Sequence, residues 1–205
     1  MKLYLFFRKI LKGFFFGLFR IEVNGVDNIS VQGPLIVCSN HVSNWDPIIL
    51  AVVSRRQIRF MAKHTLFKIP VLRKLLRALG AFPVNRQTAD LTAIKTSIAY
   101  LKDGEAVGIF PQGKRYRGID PWQTKVKSGV GMIAYRSKAD VIPILIRTNE
   151  NVIKPFRKVR VDIGNIIRNN ELGIENGTQA EYSNGARYIF DKILELGKEK
   201  DESNN

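Results

Sequence analysis

Apolar and polar positions alternate in several rhythms along this chain, and each change of rhythm marks an element. The first twenty residues, MKLYLFFRKILKGFFFGLFR, are dominated by Leu and Phe but broken by Lys2, Arg8, Lys9, Lys12 and Arg20. No apolar run there approaches the ~18 residues that a spanning helix needs. A signal peptide would hold its charge at the start, then show a clean apolar stretch and a small-residue cleavage site; the segment does neither. It reads as an amphipathic helix lying in a bilayer interface, aromatics toward the acyl boundary and basic side chains toward headgroups. A helix packed on the domain core is the alternative.

From Ile21 the rhythm changes to short α and β signals. Ile21-Glu22-Val23 runs into the turn pair Asn24-Gly25, and Leu35-Ile36-Val37-Cys38 after Gly33-Pro34 is a short buried strand. Asp46-Pro47 then opens a helix over 48–53, with Asp46 as N-cap and Pro47 in the first position. Over 66–79, Leu72, Leu75, Leu76 and Leu79 share one face while Lys68, Arg73, Lys74 and Arg77 fall elsewhere, and Gly80 ends the stretch. That stretch reads either as a core helix with a solvated basic face or as a second membrane contact. Leu91, Ile94, Ile98 and Leu101 mark a further helix, 106–110 a strand, 130–138 a helix, and 141–146 and 159–163 two more strands. Thr178 and Glu181 form a capping box before a last helix, and a polar tail follows Gly197. The pattern predicts one three-layer α/β domain over 21–197, its mostly parallel or mixed sheet flanked by helices. An interfacial segment (1–20) precedes it and a flexible polar tail (198–205) follows.

The charge of this 205-residue chain adds a partner. Its formal net charge is +15, and residues 1–86 hold 14 Lys/Arg against 3 Asp/Glu. Such a balance points to a polyanion. A nucleic-acid binder interleaves its cations with exposed aromatics or Gly-rich loops. Here the basic half coincides with the most apolar segment, which points to an anionic membrane surface instead. Cys38 is the single cysteine, so no intramolecular disulfide forms, which suits the cytosolic side of a membrane.

The sharpest chemistry lies in Asn40-His41-Val42-Ser43-Asn44-Trp45-Asp46-Pro47, between a buried strand and a helix. Asp46 is placed to turn back onto the His41 imidazole. A carboxylate there fixes the His tautomer and stabilises the imidazolium formed when His takes a proton. A structural His beside a helix-cap Asp is the plain reading of the pair taken alone. Three more blocks follow in order: Gly80-Ala81-Phe82-Pro83-Val84-Asn85-Arg86, Ile109-Phe110-Pro111-Gln112-Gly113-Lys114-Arg115, and Val141-Ile142-Pro143-Ile144. His64 has no carboxylate partner in its local motif. No Gly-x-Ser-x-Gly elbow, metal-spaced cluster or phosphate loop is present.

Together the blocks resemble the glycerolipid acyltransferase superfamily, specifically the PlsC-like 1-acyl-sn-glycerol-3-phosphate acyltransferases, over about 21–167. His41 and Asp46 match the H-x4-D motif and Arg86 the second block. Phe110, Pro111, Gly113 and Arg115 match the third, FPEGTR, and Pro143 the fourth; Asn40, Lys63, Pro70, Lys127 and Gly129 also fall where the family has such residues. Gln112 and Lys114 depart from it, standing where Glu and Thr are usual. The resemblance implies an O-acyltransferase at the cytoplasmic face of a membrane, peripheral or monotopic. Its His41–Asp46 base would move an acyl group from acyl-CoA or acyl-carrier protein to lysophosphatidic acid. It further implies an acceptor site of Arg86, Gln112, Gly113, Lys114, Arg115 and Pro143, no metal, no cofactor beyond the donor substrate, and no nucleic acid. The rival expectations are transfer to another lysophospholipid or polar lipid, and a non-catalytic basic protein that binds membranes or nucleic acid.

Overall fold

In the computed structural model, residues 2–30, 32–85 and 90–201 are described. Seven strands form one sheet: β1 (Arg20–Asn24), β2 (Leu35–Ser39), β3 (Ile58–Lys63), β4 (Phe82–Val84), β5 (Ala106–Ile109), β6 (Asp140–Arg147) and β7 (Lys158–Ile163). Their order is β1-β7-β6-β2-β5-β3-β4. All neighbours run parallel except β6 and β7.

β2 lies at the centre, and the reason is in its sequence. An unbroken apolar run has no polar face to give to water, so both faces must be covered. Leu35 and Val37 enter one core, with Phe15 of helix α1 (Lys2–Leu18), Phe19 just after it, and Ile49 and Leu50 of α2 (Asp46–Val53). Ile36 and Cys38 enter the other, with Ala93 and Leu101 of α4 (Leu91–Lys102), Ile133 of α5 (Gly129–Ser137) and Phe190 of α6 (Gln179–Asp201). That is the expected three-layer arrangement. Cys38 is fully buried, and desolvation pushes its thiol well above the ordinary range.

α1 joins the domain instead of standing apart from it. Tyr4, Phe15 and Phe19 are buried, while Ile10, Phe14 and Phe16 remain exposed. Arg8 reaches the Ser54 carbonyl at the end of α2. Among the described residues no helix is long and apolar enough to cross a membrane.

The expected 66–79 stretch divides at Pro70 into a 3-10 turn (His64–Lys68) and helix α3 (Pro70–Ala78), which buries no residue. It therefore contributes nothing to the core, and Val71 and Ile69 face solvent. Gly80 ends α3 in the left-handed region, φ 81°, with Gly80 N–H on Arg77 O and Ala81 N–H on Leu76 O. This is the paired pattern of a glycine C-cap. The Thr178–Glu181 capping box forms as expected: Glu181 N–H donates to Thr178 Oγ1 (3.2 Å) and Thr178 N–H to Glu181 Oε2 (2.8 Å). α6 then continues past Gly197, where the polar tail was expected to begin, to Asp201.

Candidate active site

The site is built where two parallel strands end side by side. Cys38 of β2 pairs with Ile109 of β5. His41 and Gln112 each lie three residues beyond those partners, so they come level in the loops that leave the strands. Carboxyl ends of parallel strands are where such folds hold ligands.

Asn40 fixes the first loop. Its side-chain amide donates to Ile146 O (2.9 Å) and accepts from Ile146 N–H (2.8 Å), extending the β2–β6 ladder past the last residue of β2. His41 follows and is almost fully buried. Its Nδ1 lies 2.7 Å from Asp46 Oδ2, and the same oxygen accepts from Val42 N–H and Ser43 N–H, each at 2.8 Å. An ionised carboxylate only accepts, so Nδ1 carries the hydrogen, and in the neutral imidazole Nε2 is then the nitrogen with the lone pair. Asp46 opens α2 but is not its cap: Trp45 takes that place, and the carboxylate turns back across the loop instead. The expected N-cap role is corrected by this geometry, since the three donors of the loop outcompete the helix's own N–H groups.

The third block wraps the same histidine. Phe110 stacks on the imidazole with ring centroids 4.1 Å apart and planes at 17°. Phe110 O accepts from Gly113 N–H (2.9 Å), closing a turn with Pro111 in its second position and Gly113 in its fourth, both favoured there. Gly113 has φ 69°, and a Cβ there would meet Lys127 Cδ at 2.8 Å. The positive φ favours glycine, and any Cβ would also push the Lys127 side chain aside. Gln112 is buried; its Oε1 accepts from His41 N–H (2.6 Å) and its Nε2 donates to Thr124 Oγ1 (2.8 Å). Tyr116 N–H donates to His41 O (2.8 Å). Ring, N–H and C=O of His41 are thus all held by the 110–116 segment.

Two cavities flank this loop. One, about 540 Å³, is lined by His41 and by apolar side chains including Met61, Leu91, Ile94, Phe110 and Met132, with Lys127 and the start of α5 beside them. α5 has no side-chain cap at Ser128, so its first N–H groups have no capping partner from that side chain. The other cavity, about 620 Å³, is lined by Val42, Ser43, Asn44, Trp45, Ile153, Lys114, Arg115 and Arg117. Trp45 packs on α1, its ring 5.5 Å from Phe15 and 6.2 Å from Phe19.

The expected site residues therefore divide. His41, Asp46, Gly113, Lys114 and Arg115 come together. Gln112 stands behind His41 with both polar ends engaged and lines neither cavity. Pro143 is likewise away from the cavities, in the middle of β6. Its carbonyl accepts from Gly164 N–H (2.9 Å) where the β6–β7 ladder is interrupted, a place that tolerates a residue without N–H. Arg86 lies outside the described residues. His64 is half-buried and lines neither cavity. Arg117 and Thr124 were not singled out from sequence; Arg117 continues the basic run Lys114-Arg115, and that run was the available signal. Among the described residues no group of three or more His, Cys, Asp or Glu is placed to hold a metal ion.

A family model described as Acyltransferase matches residues 20–147. The chain belongs to this acyltransferase family. Its relatives include the 1-acyl-sn-glycerol-3-phosphate acyltransferases of Borreliella burgdorferi (33% identical over 143 residues, 66% of this chain and 54% of that one) and of Bacillus subtilis (32% over 145 residues, 70% of each). The matched part spans about half the length of the first of these. Among solved structures, the 1-acyl-sn-glycerophosphate (LPA) acyltransferase PlsC from Thermotoga maritima shares the fold. Its TM-score is 0.70 at 24% identity, over 97% of this chain and 78% of that one. The acyltransferase domain matched by the family model, 20–147, contains β1 to β6 and so the whole His41 loop and its 110–116 cradle.

Proposed function

We propose that this chain transfers a fatty acyl group from a thioester donor, acyl-CoA or acyl-carrier protein, to the free hydroxyl of lysophosphatidic acid, giving phosphatidic acid. The observation that carries the reading is that His41, paired with Asp46, lines an apolar cavity while the residues that follow it, Val42 to Trp45, line a cationic one. Such a pair suits a reaction that joins an acyl chain to a phosphate-bearing alcohol.

His41 Nε2 takes the hydroxyl proton as the oxygen attacks the thioester carbonyl, and Asp46 offsets the charge of the imidazolium. The tetrahedral oxyanion needs donors. Val42 N–H and Ser43 N–H are already given to Asp46. We assign the oxyanion instead to Lys127 and the uncapped first turn of α5, which line the cavity with His41. The C–S bond then breaks and the thiolate leaves with the proton from His41. Lys114, Arg115 and Arg117 hold the acceptor phosphate, where guanidinium groups give paired charge-assisted bonds. Because acceptor and product are lipids, the protein works at the cytoplasmic face of a membrane as a peripheral protein, with the outer side of α1 against the surface.

The test is acyl transfer by the purified chain from each donor to a panel of lysolipids in mixed micelles. Phosphatidic acid formation that exceeds transfer to zwitterionic and neutral acceptors is expected. Transfer only to a non-phosphate acceptor would move the assignment to another lipid, and no transfer from either donor would overturn it.

A further inference from the structure

We propose that Phe156 is a membrane anchor, the outermost member of an apolar row along α1 that holds the protein on an anionic bilayer. The inference rests on the membrane-surface reading above, not on the acyl-transfer chemistry.

Ile10, Phe14 and Leu18 recur every fourth residue and so form one row on α1. Ile10 is 53% and Phe14 59% exposed, and Leu18 is half-buried. The row does not stop at the end of the helix. Leu18 O, one of the last carbonyls that a helix leaves without an internal partner, accepts from Phe156 N–H at 2.7 Å. Phe156 is thereby fixed at the end of the row, and the residue is 69% exposed.

Its backbone lies at φ 61°, a conformation that a bulky L residue rarely adopts. Glycine would fit this position with less strain, and the core gains little from the ring. An aromatic kept at an unfavourable φ and pointed outward suggests a role outside the fold. Phe156 lines a cavity of about 240 Å³ together with Arg20, Lys154, Arg157 and Lys158, against one carboxylate there, Glu150. Lys154 pairs with Glu150 and Lys158 with Glu22, and no salt bridge is formed by Arg20 or Arg157 among the described residues. An exposed aromatic residue beside this excess of cations suits the boundary between acyl chains and anionic headgroups. A second copy of the chain is a poor occupant, because two such faces would bring like charges together.

Two variants of the full chain test this with phosphatidylcholine vesicles, with and without phosphatidylglycerol, and no substrate present. Phe156→Gly relieves the strained φ, so its Tm equals or exceeds that of the wild type while partition onto anionic vesicles falls about tenfold, or ~1.4 kcal/mol. Phe156→Cys carrying an environment-sensitive label brightens and shifts to the blue on anionic vesicles; Cys38, fully buried, escapes labelling in the folded protein. Wild-type partition with an unchanged Phe156→Gly, or a label that stays in water, overturns the anchor and leaves the membrane reading standing. Failure of the wild type to bind anionic vesicles overturns both, whatever the enzyme assay reads.

Discussion

The side-chain oxygen of Gln112 lies 2.6 Å from the backbone nitrogen of His41 and accepts its hydrogen. A backbone N–H can only donate, so the oxygen must face it and the amide nitrogen must face Thr124. Thr124 Oγ1 accepts there and gives its own hydrogen to Pro121 O at 2.7 Å. The residue that stands in place of the family Glu is therefore a neutral tie between the histidine loop and the segment around Thr124.

Gln112→Glu tests the neutrality of that tie. The new carboxylate needs a donor, so the Thr124 hydroxyl must turn away from Pro121. It also adds a negative charge to the surroundings of His41, which already contain Asp46, Asp90, Lys127, Lys114, Arg115 and Arg117. A nearby negative charge favours the imidazolium. The free base then forms only at higher pH, and the acid limb of the kcat/KM profile moves up by about 1 pH unit. An unmoved limb in a folded variant would show that residue 112 does not bear on the base.

Asp46→Asn keeps the size of the side chain and removes its charge. We expect kcat to fall about 10²- to 10⁴-fold, the span associated with general-base assistance, with circular dichroism unchanged. Asp46→Ala should differ in kind. It leaves the buried Val42 N–H, and the half-buried Ser43 N–H, without that acceptor, so chemical denaturation should show a loss of about 1–3 kcal/mol beyond that of Asp46→Asn.

Arg117→Ala addresses the residue that sequence did not flag. Loss of one charge-assisted phosphate contact should raise KM for lysophosphatidic acid about tenfold with little change in kcat. The effect should disappear for an uncharged monoacylglycerol acceptor. Equal losses for both acceptors would assign Arg117 to the fold.

Glu181 predicts an acid-side signature in stability. Hydrogen bonds from the backbone N–H groups of Thr178 and Asn176, and from their side chains, hold its carboxyl down to about 2 from 4.5. A group whose folded value is depressed stabilises above its unfolded value and loses that contribution as pH falls through the folded one. Tm of the wild type should therefore exceed that of Glu181→Gln above pH 4.5, and the difference should shrink toward pH 2. A difference that is constant across this range would contradict the capping role.

Much of this architecture was legible because local chemistry and tertiary context agree. Leu35 to Cys38 could only be an inner strand, and the spacing from His41 to Asp46 suffices for a carboxylate to return to the ring. Legibility failed where a residue's role is decided by a distant partner. The carboxylate of Asp46 looks like a helix cap until the folded loop brings Val42 and Ser43 N–H to it. Gln112 acts on His41 through the β2–β5 register and on Thr124 twelve residues along, neither of which periodicity contains. Pro143 follows the family motif yet serves the sheet. α1 was read as an interfacial helix with a core helix as the alternative, whereas its inner side is core and its outer side exposed, since one helix has two faces.

His41 as the base is put to the proof by acyl transfer measured for wild type and His41→Ala side by side. Free thiol and phosphatidic acid should be followed together, with lysophosphatidic acid binding measured separately. The wild type should release both products in equal amounts. In His41→Ala, binding should be intact and turnover at least about 10²-fold lower. A folded His41→Ala that turns over within a few-fold of the wild type would contradict that role for His41.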